Sequence, residues 1–383
     1  MATLPLQGLL VLDFSQFLAG PSAALRLADL GATVVKVERP GTGELGRSLY
    51  ISDQEFDGES ALFHTINRNK KSYAANLKDP EDLTRVRKLV TRADVLIENF
   101  RPGVMQRFGL DYDSVRELNP GLVYGTVTGY GTEGPWKNLP GQDLLIQARS
   151  GLAWLSGEAE QGPVPIGLSV SDIITGAHLV QGILACLVRR GVTGEGGRVE
   201  VNLLESTLDM QFELLTCHLN DGGKQPQRSA VNNANAYLGA PYGVYQTADG
   251  HLALSMGDIP KLGEIVECPK LAQYTDNKQW FVKRDEIKAV LAKHLTSQTT
   301  QYWLDRLVPM DYWCAPVLSW SELRDEAGFQ ALEFVQTLTR ESGAEMDTTR
   351  CPIRINCDKI YSGQAAPRPG EHTDEINTTY NLT

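Results

Sequence analysis

The stretch LLVLDFSQFLAGPSAALRLADLGATVVKVE, Leu9–Glu38, decides the fold class. Its two ends, Leu9–Phe14 and Thr33–Glu38, are short apolar runs, which predict buried strands. The residues between them include Pro21–Leu30, which has the pattern of a helix, and Gly31 follows where a glycine commonly closes one. A strand, a helix and a second strand in this order predict a βαβ unit on a parallel sheet.

The same alternation continues beyond this unit. Asp79-Pro80-Glu81-Asp82 supplies an N-cap, a first-turn proline and two acids for a further helix. A long apolar helix is predicted from about Ile173 to Arg190, ended by Gly191. Further strands are predicted at Asp94–Phe100, Leu122–Gly131 and Arg198–Leu204. These elements indicate a Rossmann-like α/β domain.

A second domain is predicted where the sequence becomes polar, at about residue 222. A hairpin follows with its turn at Asp249-Gly250, and then helices at Val282–Leu295 and Tyr302–Leu307. Ser319 and Glu322 have the spacing of a capping box. We therefore predict a large domain from residues 1–221 plus 321–383, and a smaller α+β domain from residues 222–320.

Charge and cysteine content restrict the class of protein. Lys and Arg number 36 and Asp and Glu 47, so a net charge of −11 disfavours nucleic-acid and anionic-membrane partners. The six cysteines include no C-x-x-C pair, and MATLPLQGLLVLDF lacks the basic start of a signal peptide. The longest apolar run, Leu179–Val188, is too short to span a bilayer. A cytoplasmic protein without a membrane role is expected.

The common catalytic motifs are missing from the sequence. The first turn, SQFLAGPS, has one glycine, Gly20, and therefore lacks the G-x-G-x-x-G of dinucleotide sites. The histidines show neither H-E-x-x-H nor another metal-ligand spacing, so no metal is expected. A G-x-S-x-G elbow is also missing.

One carboxylate remains as a candidate, Asp172 at the start of the long apolar helix. The ordinary interpretation of an aspartate there is a helix N-cap. The N-terminal dipole of a helix also favours an anion, so the position should keep the carboxylate ionised. An ionised carboxylate beside backbone donors can attack a thioester carbonyl and form a mixed anhydride.

The chain resembles the class III CoA-transferases, the CaiB/BaiF family that includes formyl-CoA:oxalate and carnitine CoA-transferases. The resemblance runs through nearly the whole chain and ends in PRPGEHTDEI, Pro367–Ile376. Its main blocks are Ala19–Arg47, Asn67–Asp82, Ala93–Tyr112, Asn119–Pro135, Gly141–Leu152 and Pro165–Leu187.

The resemblance implies a role for seven residues. Asp172 would be the nucleophile and Asp143 a second acidic residue near the site. The positions implied to contact CoA are Arg39, Lys78, Asn99, Phe100 and Arg107. Without the resemblance, the ordinary interpretation of Arg39, Lys78 and Arg107 is a solvated or salt-bridged surface residue, and that of Phe100 is a side chain packed in the core.

By resemblance, Asp172 forms an anhydride with the donor acyl group and then a thioester with CoA, and family members differ in when the donor acid leaves. The substrates are an acyl-CoA and a small carboxylic acid, no cofactor is permanently bound, and an interlocked homodimer is expected. Formyl-CoA transferases carry a glutamine where this chain has Leu18, so oxalate or formate chemistry is not supported.

Two alternatives stay open. The first is an α-methylacyl-CoA racemase, a similar enzyme that pairs the aspartate with a histidine for proton transfer. The racemase histidine belongs to a G-H-D block, which here reads Gly141-Gln142-Asp143, and an amide cannot carry the proton. The second alternative is a CoA-binding relative without turnover.

Overall fold

The computed structural model describes residues 4–51 and 53–382. The strands in these residues, in chain order, are β1 (Leu10–Asp13), β2 (Thr33–Glu38), β3 (Glu55–Phe56), β4 (Glu59–Ser60), β5 (Lys71–Ala74), β6 (Val95–Glu98), β7 (Val123–Thr128), β8 (Gly197–Asn202), β9 (Gly243–Gln246), β10 (His251–Leu254), β11 (Cys314–Pro316), β12 (Val335–Thr339), β13 (Glu345–Thr349), β14 (Arg354–Ile355) and β15 (Asp358–Lys359).

Helices connect and cover these strands. They are α1 (Ala19–Asp29), α2 (Ala61–Asn67), α3 (Pro80–Val90), α4 (Val104–Arg107), α5 (Tyr112–Leu118), α6 (Asp143–Arg149), α7 (Val170–Thr193), α8 (Leu203–Met210), α9 (Phe212–Asn220), α10 (Ile259–Ile265), α11 (Arg284–Leu295), α12 (Thr300–Leu307), α13 (Trp320–Asp325), α14 (Ala327–Leu332) and α15 (Thr373–Thr379). Short 3₁₀ turns lie at Leu45–Ser48, Leu152–Trp154, Pro269–Leu271, Asn277–Gln279 and Val308–Met310.

A six-stranded sheet forms the centre of the first compact unit. Its strand order is β5-β2-β1-β6-β7-β8, and every pairing is parallel. In order of appearance this is the 3-2-1-4-5-6 arrangement of a Rossmann fold. The predicted α/β class with a parallel sheet is therefore confirmed, and all of the predicted strands of this sheet are present.

Helices cover both faces of the sheet, because successive side chains of a strand point to opposite faces. On β1, Leu10 and Leu12 belong to one core with α3 and α5, and Val11 belongs to a second core with α1 and α7. Both faces are thus sealed from water, which explains why these strands are apolar runs without polar alternation.

The helix α7 is longer than predicted. Gly191 does not end it; the helix continues to Thr193, and Gly194 closes it with a positive φ of 77°. Glycine within a helix costs about 1 kcal/mol relative to alanine, which the packing of a long helix outweighs. By length and composition α7 could also cross a membrane, but it packs against α1, α8, β7 and β8.

The tail of the chain has more structure than the sequence indicates. The segment Gly370–Asn377 binds the edge strand β5 of the sheet. The N–H of Gly370 donates to Ser72 Oγ at 2.7 Å, and the N–H of His372 donates to the Ser72 carbonyl at 3.0 Å. The tail thereby satisfies backbone groups that an edge strand would otherwise expose.

The second compact unit comprises residues 147–168 and 211–331. An antiparallel sheet of order β11-β10-β9 packs with α10, α11 and α12 around a core that contains Trp303. The predicted smaller α+β domain is confirmed as a class. The unit differs from the predicted residues 222–320, because it also includes residues 147–168, helix α9 and residues 321–331.

Candidate active site

The order of strands in the large sheet reverses between β1 and β6. From β1 the chain continues to β2 on one side, and after β6 it continues to β7 on the other. Sheets of this topology bind ligands outside the carboxyl ends of the strands, at the point of reversal. The segments that follow β1, β2, β5 and β6 therefore lie at the edge where a ligand site is expected.

Asn99 forms two hydrogen bonds between the segments that follow β1 and β6, at the point where the strand order reverses. Asn99 follows β6 and Gln16 follows β1. The N–H of Gln16 donates to Asn99 Oδ1 at 2.8 Å, and Asn99 Nδ2 donates to the Gln16 carbonyl at 2.7 Å. The predicted CoA contact at Asn99 thus also has a structural role that the sequence did not reveal.

The turn between β1 and α1 has a constrained backbone. Phe17 adopts a φ of 66°, which is uncommon for a residue with a side chain. Its N–H donates to Glu44 Oε2 at 3.3 Å, and its ring is 44% exposed. Two residues later Ala19 begins α1, so its N–H has no partner within that helix.

The Asp172 carboxylate accepts a hydrogen bond from the backbone N–H of Ala19. The N-cap of α7 is Ser169, and Asp172 lies in the first turn of the helix, so the expected N-cap position of Asp172 is wrong. The half-buried Asp172 carboxylate instead faces the backbone N–H of Ala19, at the start of a different helix. Sequence reasoning missed this donor because the pairing joins residues far apart in the chain.

A glycine allows the two helices to approach each other. Gly176 lies one turn after Asp172 on α7. A Cβ at this position would meet Ser22 Oγ at 2.4 Å and the Ala19 carbonyl oxygen at 2.8 Å. Only a residue without a side chain fits this crossing, which brings the Asp172 carboxylate to the N-terminus of α1.

A second carboxylate lies beside the first. Asp143, the first residue of α6, accepts a hydrogen bond from the N–H of Ser171 at 2.7 Å. Burial raises the pKa of Asp172, the Asp143 carboxylate raises it further, and the Ala19 N–H opposes both, which leaves the pKa at about 7. Asp172 is therefore only partly ionised near neutral pH, in contrast to the expectation that a helix N-terminus would keep it charged.

This pKa predicts the pH dependence of any reaction in which Asp172 attacks as an anion. The second-order rate of covalent modification should rise about tenfold per pH unit below pH 7 and level off above it, because the rate follows the ionised fraction. Rapid quenching and mass spectrometry of the Asp172 peptide measure this rate.

Variants of the neighbouring acids test the cause of the raised pKa. Asp143→Asn should move the midpoint of the profile to lower pH, because it removes the like charge beside Asp172. Asp79→Asn is the matched control, since it neutralises the exposed carboxylate that caps α3. A midpoint that stays in place in Asp143→Asn would contradict the assigned cause.

The remaining predicted site residues lie along the same edge of the sheet. Arg39 directly follows β2, Lys78 lies between β5 and α3, and Arg107 ends α4; all three are exposed. Phe100 is half-buried against the core, and its N–H donates to Glu98 Oε2 at 2.9 Å. Among residues 4–51 and 53–382, no cluster of three or more His, Cys, Asp or Glu side chains could hold a metal ion.

The sequence profile of CoA-transferase family III matches residues 6–373. The chain belongs to CoA-transferase family III. It is 33% identical to the succinate–glutarate CoA-transferase of Agrobacterium fabrum, an alignment that covers 97% of this chain and 94% of the relative. It is 35% identical to the acetyl-CoA:oxalate CoA-transferase of Acetobacter aceti, over 96% and 93% of the two chains.

A solved structure supports the same assignment for this family III CoA-transferase. A CaiB/BaiF family protein from Brucella suis superposes with a TM-score of 0.84 at 29% identity, over 98% of this chain and 99% of the other. The resemblance drawn from the sequence is thus confirmed, as is the prediction of an enzyme that transfers CoA.

The transferase also contains functional candidates that the sequence analysis missed. Asp13, Lys36 and Lys70 are buried together under the turn that carries Ala19. Lys70 is part of the family block Asn67–Asp82, but two consecutive lysines, Lys70 and Lys71, are typical of a solvated surface and do not predict burial. The only signal was the position of Asp13 and Lys36 within apolar strands, where a charged residue requires a partner.

Proposed function

We propose that this enzyme transfers CoA from an acyl-CoA to a small carboxylic acid, with the Asp172 carboxylate as the nucleophile. The observation that carries the proposal is the position of Asp172 at the N-terminus of α1, on the ligand-binding edge of the sheet. The Ala19 N–H faces this carboxylate, for which no ion pair is found among residues 4–51 and 53–382, and a carboxylate held by backbone donors is suited to covalent catalysis.

The reaction balances without a cofactor. An oxygen of Asp172 attacks the thioester carbonyl, the C–S bond breaks, and an aspartyl-acyl anhydride and CoA thiolate form. The thiolate attacks the Asp172 carbonyl carbon and displaces the donor acid, which leaves an aspartyl-CoA thioester. The acceptor carboxylate then displaces the thiolate from this thioester, and the thiolate attacks the acceptor carbonyl of the second anhydride. This step releases the new acyl-CoA and restores the Asp172 carboxylate.

The acids are proposed to be small dicarboxylates. Relatives of this chain carry names with succinate, glutarate, oxalate and mesaconate. Leu18, which precedes the Ala19 donor, disfavours formate or oxalate as the pair, because formyl-CoA transferases carry a glutamine there. Succinyl-CoA with glutarate or mesaconate is therefore the first combination to assay.

The proposal is tested by trapping the intermediate. The protein is incubated with succinyl-CoA, treated with hydroxylamine or left untreated, digested and analysed by mass spectrometry. We expect the peptide that contains Asp172 to carry CoA without hydroxylamine and a hydroxamate with it. No adduct at Asp172 with succinyl-, acetyl- or formyl-CoA, in a preparation that turns over, would refute the role of Asp172.

CoA is proposed to lie along the carboxyl edge, with its phosphates near Arg39, Lys78 and Arg107 and its adenine near Phe100. In support, these cations are exposed, and they lie in the segments that follow β2, β5 and β6. An arginine suits a phosphate because its planar guanidinium donates two parallel hydrogen bonds. Asn99 would hold the turn that the thioester approaches.

Substitution of an edge arginine should affect substrate binding more than turnover. Arg39→Met is expected to raise the KM for acyl-CoA about tenfold with kcat little changed, because the contact with a phosphate is equal in ground and transition states. The increase should shrink at high salt. Steady-state kinetics at two ionic strengths measure both effects.

Arg116→Met is the matched control for this substitution. Arg116 is also exposed, but it lies in the last turn of α5, which leads to the amino end of β7 and hence to the opposite edge of the sheet. Its KM should equal that of the wild type. Equal KM values for Arg39→Met and Arg116→Met would exclude Arg39 from the CoA site.

A homodimer is proposed as the working assembly. Support comes from one face of α7, on which Ile173, Val188 and Val192 are 53%, 73% and 86% exposed. An apolar helix face of this kind is typical of an interface between subunits. Sedimentation equilibrium should give a dimer mass, and Val188→Asp should shift the mass toward the monomer; a monomeric wild type would contradict the proposal.

A further inference from the structure

Three charged side chains are buried together beneath the turn between β1 and α1. Asp13 ends β1, Lys36 lies on β2, and Lys70 directly precedes β5; none is more than 1% exposed. Lys70 Nζ donates to Asp13 Oδ2 at 2.9 Å, and Lys36 Nζ lies 3.6 Å from the same oxygen. We call these three residues the buried triad.

The two lysines of the triad also hold backbone carbonyls. Lys36 Nζ donates to the Ser15 carbonyl at 2.8 Å, and Lys70 Nζ donates to the Pro21 carbonyl at 2.9 Å. The N–H of Ser15 in turn donates to Asp13 Oδ1 at 3.0 Å. The triad therefore fixes both ends of the Ser15–Pro21 turn, and Ala19 lies between these ends.

Stability alone gives little reason for such an arrangement. The two lysines share the single carboxylate of Asp13, although the buried carboxylates of Glu38 and Glu44 also attract Lys36 and Lys70. Buried ion pairs are often no better for stability than apolar packing. Burial opposes the ionised form of Asp13, but the two ammonium groups bring its pKa down to about 2. Besides Asp13 and Lys36, the Lys70 ammonium group interacts with the carboxylate of Glu44, and it donates a hydrogen bond to the amide oxygen of Asn67.

The strained backbone of Phe17 indicates what the triad holds in place. A left-handed residue with a side chain persists only where its surroundings determine its conformation, and such strain is concentrated at functional sites. Here Asn99 fixes Gln16, Glu44 accepts from Phe17, and the triad fixes the two ends of the turn. Ala19, whose N–H donates to the Asp172 carboxylate, lies within the segment that these contacts hold.

We propose that the buried triad is a positioning device for the nucleophile, and that Lys70 is a positioning residue that keeps the Ala19 N–H on the Asp172 carboxylate. The inference rests on the proposed function of Asp172. When the turn relaxes, the carboxylate loses the donor that favours its ionised form. Fewer molecules then carry a reactive carboxylate at a given pH, while the phosphate contacts of CoA are unchanged.

The test is Lys70→Met in the full-length protein. This variant leaves Asp13 next to Lys36 and keeps an unbranched side chain at position 70, so the fold can tolerate it. We expect the midpoint of the pH profile for adduct formation at Asp172 to rise by about one pH unit, as the loss of one hydrogen bond to a charged group predicts. The rate should then fall about fivefold at pH 7 and about tenfold well below pH 7, because it follows the ionised fraction of Asp172. The acyl-CoA concentration for half-saturation should stay unchanged.

The matched control is Lys71→Met. It removes the neighbouring, half-buried ammonium group, which pairs with Glu375 of α15 and not with the triad. The pH profile of this control should equal that of the wild type. A general loss of packing would lower the rate at every pH without moving the midpoint, which separates positioning from a purely structural role.

Each outcome decides between the two proposals. If the wild type forms no adduct at Asp172, the proposed function fails. If it forms the adduct and folded Lys70→Met has the same midpoint, only the positioning role is overturned. Should Lys70→Met not fold, Lys36→Met, which releases the Ser15 carbonyl, takes its place; failure of both to fold would assign the triad to stability and overturn the inference.

Discussion

Replacement of Asp172 by asparagine is expected to lower kcat for CoA transfer by about 10⁴-fold or more, because removal of a covalent nucleophile eliminates the chemical step itself. The change keeps the size of the side chain and can still accept a hydrogen bond from Ala19. The fold should therefore survive, and the affinity for acyl-CoA should stay within about a factor of two or three. Steady-state turnover and binding of a CoA thioester measure the two effects.

Asp143→Asn is the matched control for the loss of turnover. It neutralises the second carboxylate of the same pair, which accepts from the Ser171 N–H and is not proposed to form a covalent bond. It should retain measurable turnover and still yield the Asp172 adduct. Near wild-type turnover in Asp172→Asn, with Asp172→Ala equally active to exclude hydrolysis of the amide back to aspartate, would end the proposed mechanism.

The second large effect concerns stability. Asp13→Ala should lower the free energy of unfolding by about 3–5 kcal/mol, because Lys36 and Lys70 stay buried and lose the one carboxylate that both contact. Asp13 is 0% exposed, so solvent cannot replace the lost carboxylate. Urea unfolding followed by tryptophan fluorescence or circular dichroism measures the change.

A double variant tests the cause of this loss. Asp13→Ala combined with Lys70→Met removes one of the two cations that have lost Asp13, so the double variant should be more stable than Asp13→Ala alone. In the wild type, the pKa of Asp13 lies at about 2, below its ordinary value of 3.8. Its contribution to stability is thus complete above pH 4 and is lost as the pH falls through 2. A double variant less stable than the single one would contradict charge imbalance as the cause.

Much of the fold could be predicted because its signals are local. Leu9–Phe14 and Thr33–Glu38 are apolar runs, and the Asp79-Pro80 start of α3 satisfies a helix terminus within one turn. The capping box of Ser319 and Glu322 is also present. Each of these signals depends on neighbours in the chain, and the structure confirms each.

The parts that the sequence did not predict depend on distant contacts. Glycine commonly ends a helix, yet α7 continues past Gly191. The tail helix α15 is held by β5, because Thr373 and Asn377 accept hydrogen bonds from Ala74 and Tyr73 of that strand. Asp172 could be identified by family resemblance, but its partner Ala19 and its raised pKa depend on the crossing of α1 and α7 at Gly176. The burial of Lys70 beside Asp13 likewise has no local signature.

The binding of the tail to β5 has a consequence for biosynthesis. The contacts of Gly370 and His372 with Ser72 can form only after these late residues have left the ribosome. Ser72 lies two residues after Lys70, so the edge strand next to the triad is covered by a segment made 298 residues later in the chain. A nascent chain with residue 370 still in the exit tunnel should therefore lack this cover on β5, and its edge strand would be open to pairing with another chain.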